Sequence, residues 1–402
     1  MNIIENKKKI AIIGRGTAGS LASSLFNFYN TKNNYEIDWY FDPNINPLSV
    51  GEGSTLTFPI NIGPQLDIGY TEARKLDCTN KVGIKKIGWN GVGDYLHEFP
   101  LGQSGFHFNA TSFQNYVLNK ISSQVNIKET NITDPSNIDA THIISCTGKP
   151  KTYNEFSPAQ YIPVNAAFVT QCYWEKPEFD YTLCIARPYG WVFGVPLQNR
   201  CSIGYIYNEN INSLEEVKKD VEEVFTQFNL TPSSETNSLT FKNYYRKINY
   251  TERVSYNGIA SFFLEPLEAT STHMAIDVNE SVFRYLFRED KPLLSNMNTR
   301  YLRQQIETER MIMLHYLAGS PYKTTFWDYA QSQGEKCIIE TSDDSFKKMI
   351  SHSLLYLKEN RTVWWGEHIH NNVELGQWGM SSHNQNLKGL NLYPKLKKLL
   401  NL

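Results

Sequence analysis

The chain has 402 residues, of which 41% are hydrophobic and 13% aromatic, so it can bury a large core and is not a disordered chain. Its formal net charge of -2 excludes the clustered excess of Lys and Arg that nucleic-acid binding requires, and no run of about 18 apolar residues predicts a membrane span. The first residues lack the apolar core of a signal peptide, so we expect a cytoplasmic protein.

The first predicted strand, residues 9–13, runs directly into a glycine-rich turn and then into a helical pattern at residues 20–26. A second strand is predicted at residues 36–42, and its last residue stands where an acid that binds a ribose hydroxyl is expected. This order is typical of a βαβ unit that holds a dinucleotide pyrophosphate at the helix N-terminus. The residues expected to bind it are Gly14, Gly16, Thr17, Ala18, Gly19 and Asp42.

A later strand is predicted at residues 141–146, and it ends in Thr147 and Gly148, an ending that favours FAD over NAD as the bound dinucleotide. Residues 160–210 are rich in aromatic and β-branched residues, which predicts the strands of a second, substrate-side sheet. From about residue 213 onward helical patterns dominate. Helices are predicted at residues 214–228, 297–317 and 346–357.

No linker or repeat divides the chain, so we expect one composite unit over residues 1–402. Within it, residues 1–280 are expected to hold the FAD-binding and substrate-side sheets, and residues 281–402 to be mainly helical. The six cysteines are scattered, without a C-x-x-C pair or a histidine at metal-ligand spacing. We therefore expect free thiols and no metal site.

Four separated segments follow one another in the order found in a known family. They are Gly14-Arg15-Gly16-Thr17-Ala18-Gly19, Val50-Gly51-Glu52-Gly53-Ser54-Thr55, residues 79–89 around Lys81, and Leu264-Glu265-Pro266-Leu267-Glu268-Ala269-Thr270-Ser271. These are similar to G-G-G-T-A-G, G-V-G-E-A-T, the catalytic-lysine stretch and E-P-L-E-S-T-G of the flavin-dependent tryptophan halogenases. The chain thus resembles that family along nearly its whole length.

The resemblance implies an α/β fold: an FAD-binding Rossmann-like (GR2/PHBH-type) sheet with an added substrate-side β-sheet and a helical C-terminal part. It also implies that reduced FAD, O2 and a halide ion (chloride, bromide or iodide) give hypohalous acid. Lys81 would deliver the halogen to an electron-rich aromatic substrate of indole or phenol type, and Glu268 would assist. A separate NAD(P)H-dependent flavin reductase would supply the reduced flavin, and a homo-oligomer is compatible with this reading.

The resemblance further assigns residues to the two small-molecule sites. Halide would be held by the backbone amides of Thr270 and Ser271. The flavin would be bound, besides the turn, by Glu52, Gly53, Ser54, Thr55, Thr147, Gly148 and Trp191.

Two departures from the family pattern bear on activity. Residues 190–196 resemble the family's G-W-x-W-x-I-P, with Phe193 in place of the second tryptophan. Ser271 replaces a glycine, and a residue with a Cβ is expected to disturb backbone angles that aim amides at an anion. Two alternatives therefore stay open: an FAD-dependent aromatic monooxygenase, and an inactive FAD-binding scaffold.

Several further residues are candidates for lesser roles. Glu265 is an alternative to Glu268 as the acid. Residues 314–316 (Leu-His-Tyr) and 326–327 (Phe-Trp) resemble family segments and are interpreted as ordinary helix packing. Three tryptophans near the C-terminal end are candidates for stacking on a planar aromatic substrate. They are Trp364, Trp365 and Trp378.

Overall fold

The computed structural model describes residues 7–45, 51–91, 93–100, 102–132, 134–359 and 378–402. Within these ranges, strands dominate the first two thirds of the chain and helices the last third. The strands are β1 (Lys8–Ile13), β2 (Tyr35–Phe41), β3 (Gly51–Gly53), β4 (Thr79–Lys81), β5 (Gly83–Ile87), β6 (Tyr95–Glu98), β7 (Gly105–Asn109), β8 (Asn126–Glu129), β9 (His142–Ser145), β10 (Phe156–Pro158), β11 (Ala166–Tyr173), β12 (Thr182–Arg187), β13 (Gly190–Pro196), β14 (Arg200–Tyr207), β15 (Thr231–Thr240), β16 (Tyr244–Arg246), β17 (Val254–Tyr256) and β18 (Phe262–Phe263). The helices are α1 (Thr17–Tyr29), α2 (Gly63–Leu66), α3 (Tyr70–Lys75), α4 (Ala110–Ile121), α5 (Leu214–Gln227), α6 (Thr270–Phe287), α7 (Leu294–Ala318), α8 (Thr325–Thr341), α9 (Asp344–Lys358), α10 (Met380–Gly389) and α11 (Tyr393–Leu400).

The nucleotide-side sheet has five parallel strands in the order β17-β9-β1-β2-β8. Strand β1 lies at its centre and is buried from Ile10 onward, as its unbroken apolar sequence requires. Helix α1 follows β1 and buries the run from Gly19 to Phe26. The prediction of a strand, a turn, a helix and a second strand is confirmed, with each boundary within three residues of its predicted place. The α/β fold class is likewise confirmed.

The substrate-side sheet has seven strands in the order β15-β11-β14-β13-β12-β5-β6. Its neighbours are antiparallel except for β5 and β12, which run parallel. Helix α5 covers one face by burying Val217, Val221, Val224 and Phe225 against it. The predicted second sheet at residues 160–210 is therefore present, and it recruits strands from both earlier and later in the chain.

The prediction that helices dominate from residue 213 onward was wrong for residues 231–263, which form four strands. Strand β15 is polar and almost wholly exposed, and its backbone pairs with β11 at the edge of the larger sheet. An edge strand held by backbone hydrogen bonds alone needs no apolar alternation, so its sequence carries no strand signal. Strand β17 adds an edge to the parallel sheet.

A small antiparallel sheet, β3-β7-β4, lies between the two larger ones. Its central strand pairs His107 with Gly53 on one side and with Thr79 on the other, and Lys81 with Gly105. After Lys81, a single residue, Val82, leads into β5 of the substrate-side sheet. This small sheet is therefore the connection between the segment expected at the flavin and the lysine expected to be catalytic.

The main hydrophobic core contains residues from both ends of the chain, including Ile10 of β1 and Leu396 of α11. The division of residues 1–402 into one composite unit stays a prediction. All six cysteines are free. Among the described residues, no helix combines the length and the apolar character needed to cross a bilayer.

The turn between β1 and α1 depends on two close approaches. A Cβ at Gly14, whose φ is 104°, would lie 2.3 Å from the carbonyl oxygen of Cys146. A Cβ at Gly19 would lie 2.1 Å from the carbonyl oxygen of Gly14, which brings α1 close against the turn. At Gly16, by contrast, no heavy atom of the described residues lies within 4 Å of an added Cβ.

We expect Gly19→Ala to lower the free energy of unfolding by about 1–3 kcal/mol, because the added methyl group overlaps the Gly14 carbonyl and α1 must shift. Gly16→Ala is the matched control, with an expected change below about 1 kcal/mol, because the methyl group enters open space. Urea unfolding of the flavin-free protein measures both. Equal losses in the two variants would contradict the packing argument.

Candidate functional site

The start of α1 is suited to an anion. Its N-cap is Gly16, no side chain caps it, and no acidic residue occupies its first turn. The first amides of a helix have no intrahelical partner, and the helix dipole favours negative charge there. Together with the open space beside Gly16, this geometry fits the pyrophosphate of a dinucleotide. Ala18 contributes packing, since a Cβ at Gly258 would lie 2.7 Å from its methyl group.

The other residues predicted around the turn lie at the carboxyl ends of the parallel strands. Asp42 follows β2, and its carboxylate accepts hydrogen bonds from the Asn44 amide (2.9 Å) and from the Asn131 side chain (3.2 Å). Thr147 and Gly148 follow β9, and Gly148 has a φ of 83°. In an open parallel sheet, ligands bind at this edge. The structure thus brings Asp42, Thr147 and Gly148 to the same edge as the glycine turn.

Glu52 joins two of the sequence motifs and also contacts helix α6. Its Oε1 accepts a hydrogen bond from Thr17 of the glycine turn at 2.5 Å, and its carboxylate also bonds the hydroxyl of Thr272 in α6. Burial raises the pKa of Glu52, and these two hydrogen bonds act in the opposite direction. Ser54 is fixed against β7, because its amide donates to the Phe106 carbonyl and its Oγ accepts from the Phe106 amide, both at 2.8 Å.

Lys81 is fully buried at the end of β4. Among the described residues its Nζ has no hydrogen-bond partner, and a Cβ at Gly53 would lie 3.3 Å from it. Burial lowers the pKa of Lys81 to about 8; the charge of Glu268 opposes this shift and that of Lys86 adds to it. At this pKa most of the amine is protonated at neutral pH, but its neutral, nucleophilic fraction is far larger than that of an exposed lysine. A buried amine without a partner is also an open position for a small ligand.

Glu268 lies in a buried cluster of four side chains. Its Oε1 accepts from Lys86 Nζ and lies 3.2 Å from His315 Nε2, and its Oε2 lies 3.0 Å from His97 Nδ1. Burial alone would raise the pKa of Glu268, but the charges of Lys86 and His97 outweigh it and hold the pKa well below its usual range. The carboxylate is therefore ionised.

Glu265 has a different environment, although it lies three residues earlier. Its Oε2 accepts from Trp191 Nε1 and from Tyr316 Oη, each at 2.8 Å. Its Oε1 is buried and has no partner among the described residues. Burial raises the pKa of Glu265 to about 8, and the two hydrogen bonds oppose that shift. The carboxylate charge that acts on Lys81 is that of Glu268.

The predicted halide residues begin α6. Glu268 and Ala269 have φ values of 70° and 55°, and Thr270 and Ser271 then occupy the first turn of the helix. The left-handed conformation thus falls before Ser271, so this serine does not need the conformational freedom of glycine. Thr270 Oγ1 is buried and has no partner among the described residues. First-turn amides beside an orphaned hydroxyl fit a halide ion.

The aromatic wall on β13 includes Trp191 and Phe193, whose rings are 6.2 Å apart. The Phe193 ring packs over Gly204, where a Cβ would lie 2.2 Å from it. Trp191 reaches Glu265 rather than the glycine turn. Among the candidate stacking residues, Trp378 is buried beside His383, and Trp364 and Trp365 lie outside the described residues.

Sequence reasoning missed Lys86 and His97, and it interpreted His315 and Tyr316 as packing residues. His315 and Tyr316 do pack inside the fold, but they also contact the two glutamates. The available signal was Lys86 itself, a charged residue at a core-facing position of β5. By contrast, Trp327 behaves as predicted, since its Nε1 donates to the Arg187 carbonyl (2.8 Å) within the core.

Comparison with known proteins agrees with this arrangement. The family model for tryptophan halogenase matches residues 9–154 and 126–398. A curated relative, the tryptophan 7-halogenase KtzQ of Kutzneria sp. (strain 744), is 23% identical over 150 residues, which are 37% of this chain and 28% of that protein. The alignment thus spans less than a third of this relative's length.

Solved structures extend the likeness to nearly the whole fold. A flavin-dependent halogenase from Xanthomonas campestris has a TM-score of 0.79 at 18% identity, covering 98% of this chain and 93% of that one. BrvH, a flavin-dependent halogenase from Brevundimonas sp. BAL3, has a TM-score of 0.77 at 18% identity, with coverages of 98% and 92%. At such identities the structural likeness shows the fold, and the family model, which matches most of the residues, shows the family. The chain belongs to the tryptophan halogenase family.

Proposed function

We propose that this protein is a flavin-dependent halogenase that uses FADH2, O2 and a halide ion to halogenate an electron-rich aromatic substrate through Lys81. The observation that carries the proposal is the buried Lys81 amine, which has no hydrogen-bond partner in the described part of the chain, adjoins Gly53 of the flavin-side motif and lies in the field of the Glu268 charge. Such an amine has no structural use, because burying it costs free energy that no partner offsets. We further propose that it acts in the cytoplasm, supplied by a separate NAD(P)H-dependent flavin reductase.

The bound flavin would supply the oxidising chemistry that converts halide and O2 into hypohalous acid. The chain would hold the flavin with the uncapped start of α1, Asp42, the segment from Glu52 to Thr55, Thr147 and Gly148. The first-turn amides of Thr270 and Ser271 would hold the halide, with the Thr270 hydroxyl beside them. Closed packing around Lys81 and Glu268 keeps bulk water away from the oxidant.

Lys81 would handle the oxidised halogen in one of two ways. Its neutral nitrogen can attack the halogen of hypohalous acid, forming an N–halogen bond as one N–H proton leaves with the hydroxyl group as water. Alternatively, the amine hydrogen-bonds the intact acid and orients it toward the substrate. Both routes depend on the fraction of Lys81 that can serve as a donor or nucleophile in a closed site.

Glu268 is better suited to stabilise a developing positive charge than to accept a proton. Because both of its oxygens are engaged and its pKa is held well below the usual range, it is a weak proton acceptor. A fixed negative charge at this place stabilises the positive charge that develops on the aromatic ring during electrophilic attack. Glu265, whose pKa is about 8, is mostly protonated at neutral pH and cannot supply that charge.

We expect Lys81→Met to abolish halogenation, because methionine preserves the volume of the side chain and removes the amine. Flavin affinity should stay within about twofold, since the affinity rests on residues outside the substituted side chain. The measurements are product mass spectrometry with FADH2, O2 and bromide, and flavin titration by fluorescence. Lys85→Met, on the same strand region but half-exposed, is the control and should keep full activity. Undiminished bromination by Lys81→Met would refute the proposed role.

We expect Glu268→Gln to lower kcat by roughly 10²–10³-fold with little change in KM, because the shape is kept and only the charge that favours the transition state is lost. Steady-state rates on an indole and phenol panel measure this. The same panel separates the alternatives by product mass, since a monooxygenase adds oxygen and an inactive scaffold leaves every substrate unchanged. An unaltered rate in Glu268→Gln would return this residue to a structural role.

A further inference from the structure

A second lysine is buried beside the candidate site. Lys86 lies on β5, five residues after Lys81, and its side chain is 0% exposed. Its Nζ donates to Glu268 Oε1 and lies 2.5 Å from His315 Nε2. Lysine is almost never fully buried unless it is paired, so these contacts account for its presence in the core. Lys85, the preceding residue, points to the opposite face of the strand and is only partly buried.

The hydrogen bonds of His315 fix the direction of these contacts. His315 Nδ1 lies 2.9 Å from the carbonyl oxygen of Met311, which can only accept, so Nδ1 carries the proton. Burial, together with the charge of Lys86, lowers the pKa of His315 to about 4, so the ring is neutral at neutral pH. Its Nε2 is then an acceptor. Lys86 therefore donates to both His315 and Glu268, and its ammonium group is satisfied on two sides.

Several of the described elements place titratable groups near Lys81. Glu268 and Lys86 are the charged groups that act on it. His107, on the adjacent strand β7, is neutral, because burial and the charge of Lys81 lower its pKa well below the usual range. The Phe99 ring centroid lies 5.9 Å from Lys81 Nζ. Glu268 in turn is faced by Lys86, His97 and His315.

This arrangement decides which lysine is the counter-ion of the buried carboxylate. If Lys81 were the partner of Glu268, the pair would hold Lys81 protonated, and a protonated amine cannot attack an electrophilic halogen. In the structure Lys86 bonds the carboxylate and Lys81 has no partner among the described residues. The positive charge of Lys86 also opposes the addition of a proton to Lys81.

We propose that Lys86 is a positioning residue that takes Glu268 as its own counter-ion and so leaves the Lys81 amine unpaired and free to lose its proton for the reaction with the oxidised halogen. This inference rests on the proposed halogenase function, since it assigns Lys81 the reactive amine. His315 supports Lys86 by accepting its second hydrogen bond, and His97 holds the other carboxylate oxygen of Glu268.

The test is the ionisation of Lys81, measured directly in the full-length protein with FAD bound. Lysine labelled with carbon-13 at Cε reports amine titration by NMR, and Lys81→Met identifies the signal of Lys81. We expect Lys86→Met to raise the titration midpoint of Lys81 by about one unit or more, because the cation is lost while the Glu268 charge remains. The rising limb of kcat/KM against pH should move by the same amount, so activity below the midpoint falls about tenfold and recovers as the pH is raised.

Three further variants fix the sign of the effect. Glu268→Gln leaves the Lys86 cation in place and should lower the Lys81 midpoint, the opposite direction from Lys86→Met. Lys85→Met removes a nearby charge on the other face of the same strand and should leave the midpoint unchanged. Lys86→Arg keeps the charge and should restore the native midpoint. An unchanged Lys81 midpoint in a folded Lys86→Met protein would overturn the inference.

Lys86→Met leaves a buried carboxylate without its main partner, so its stability is not assured. The double variant Lys86→Met with Glu268→Gln removes both charges and avoids this problem. Its Lys81 midpoint should lie above that of Glu268→Gln alone, because the two differ only in the Lys86 cation; equal midpoints would contradict the inference. If the midpoints shift as expected but no halogenated product forms, the proposed function fails. If Lys81-dependent halogenation occurs without the shifts, only the role of Lys86 fails.

Discussion

The burial of an ionised carboxylate at Glu268 is the constraint on which the site depends. Removing such a charge from water costs several kcal/mol unless partners with good geometry surround it. Here the partners come from β5 (Lys86) and β6 (His97), and His97 Nε2 reaches on to Ser382 of α10 at 2.7 Å. Satisfying one carboxylate therefore ties the substrate-side sheet to the helical C-terminal part. The same contacts set the position of the turn that starts α6.

The second constraint is the path of the chain around Lys81. The small sheet pairs β3, which carries the flavin-side motif, with β7, and β7 with β4, which ends in Lys81. His107 at its centre is held by Thr79 (3.1 Å) and Thr182 (2.9 Å), so one neutral ring joins β7 and β4 to β12 of the larger sheet. Residues far apart in sequence, such as Gly53 and Lys81, thus become neighbours in one small sheet. The amine sits where the nucleotide side and the substrate side meet.

The parts of the fold and site that could be predicted from the sequence are those encoded by residues close together in the chain. The turn at Gly14 and Gly19, the buried run of β1 and the amphipathic helix α5 depend on residues close in sequence, and they were predicted nearly to their ends. Strand β15 was not, because a polar edge strand depends on its partner and not on its own pattern. The role of Lys86 was also missed, since its position on β5 hints at burial but its partners lie 182 and 229 residues away.

The two glutamates of one short segment show how packing separates chemically identical groups. Glu265 meets only neutral donors, from an indole and a phenol, so burial dominates and it is mainly protonated at neutral pH. Glu268 meets the ammonium group of Lys86 and the imidazole of His97, so it is ionised. A second ionised carboxylate beside the aromatic wall would compete for Lys86 and would attract a proton to Lys81. Keeping Glu265 neutral therefore leaves the cluster with a single negative charge, and it avoids a second one that would raise the pKa of Lys81.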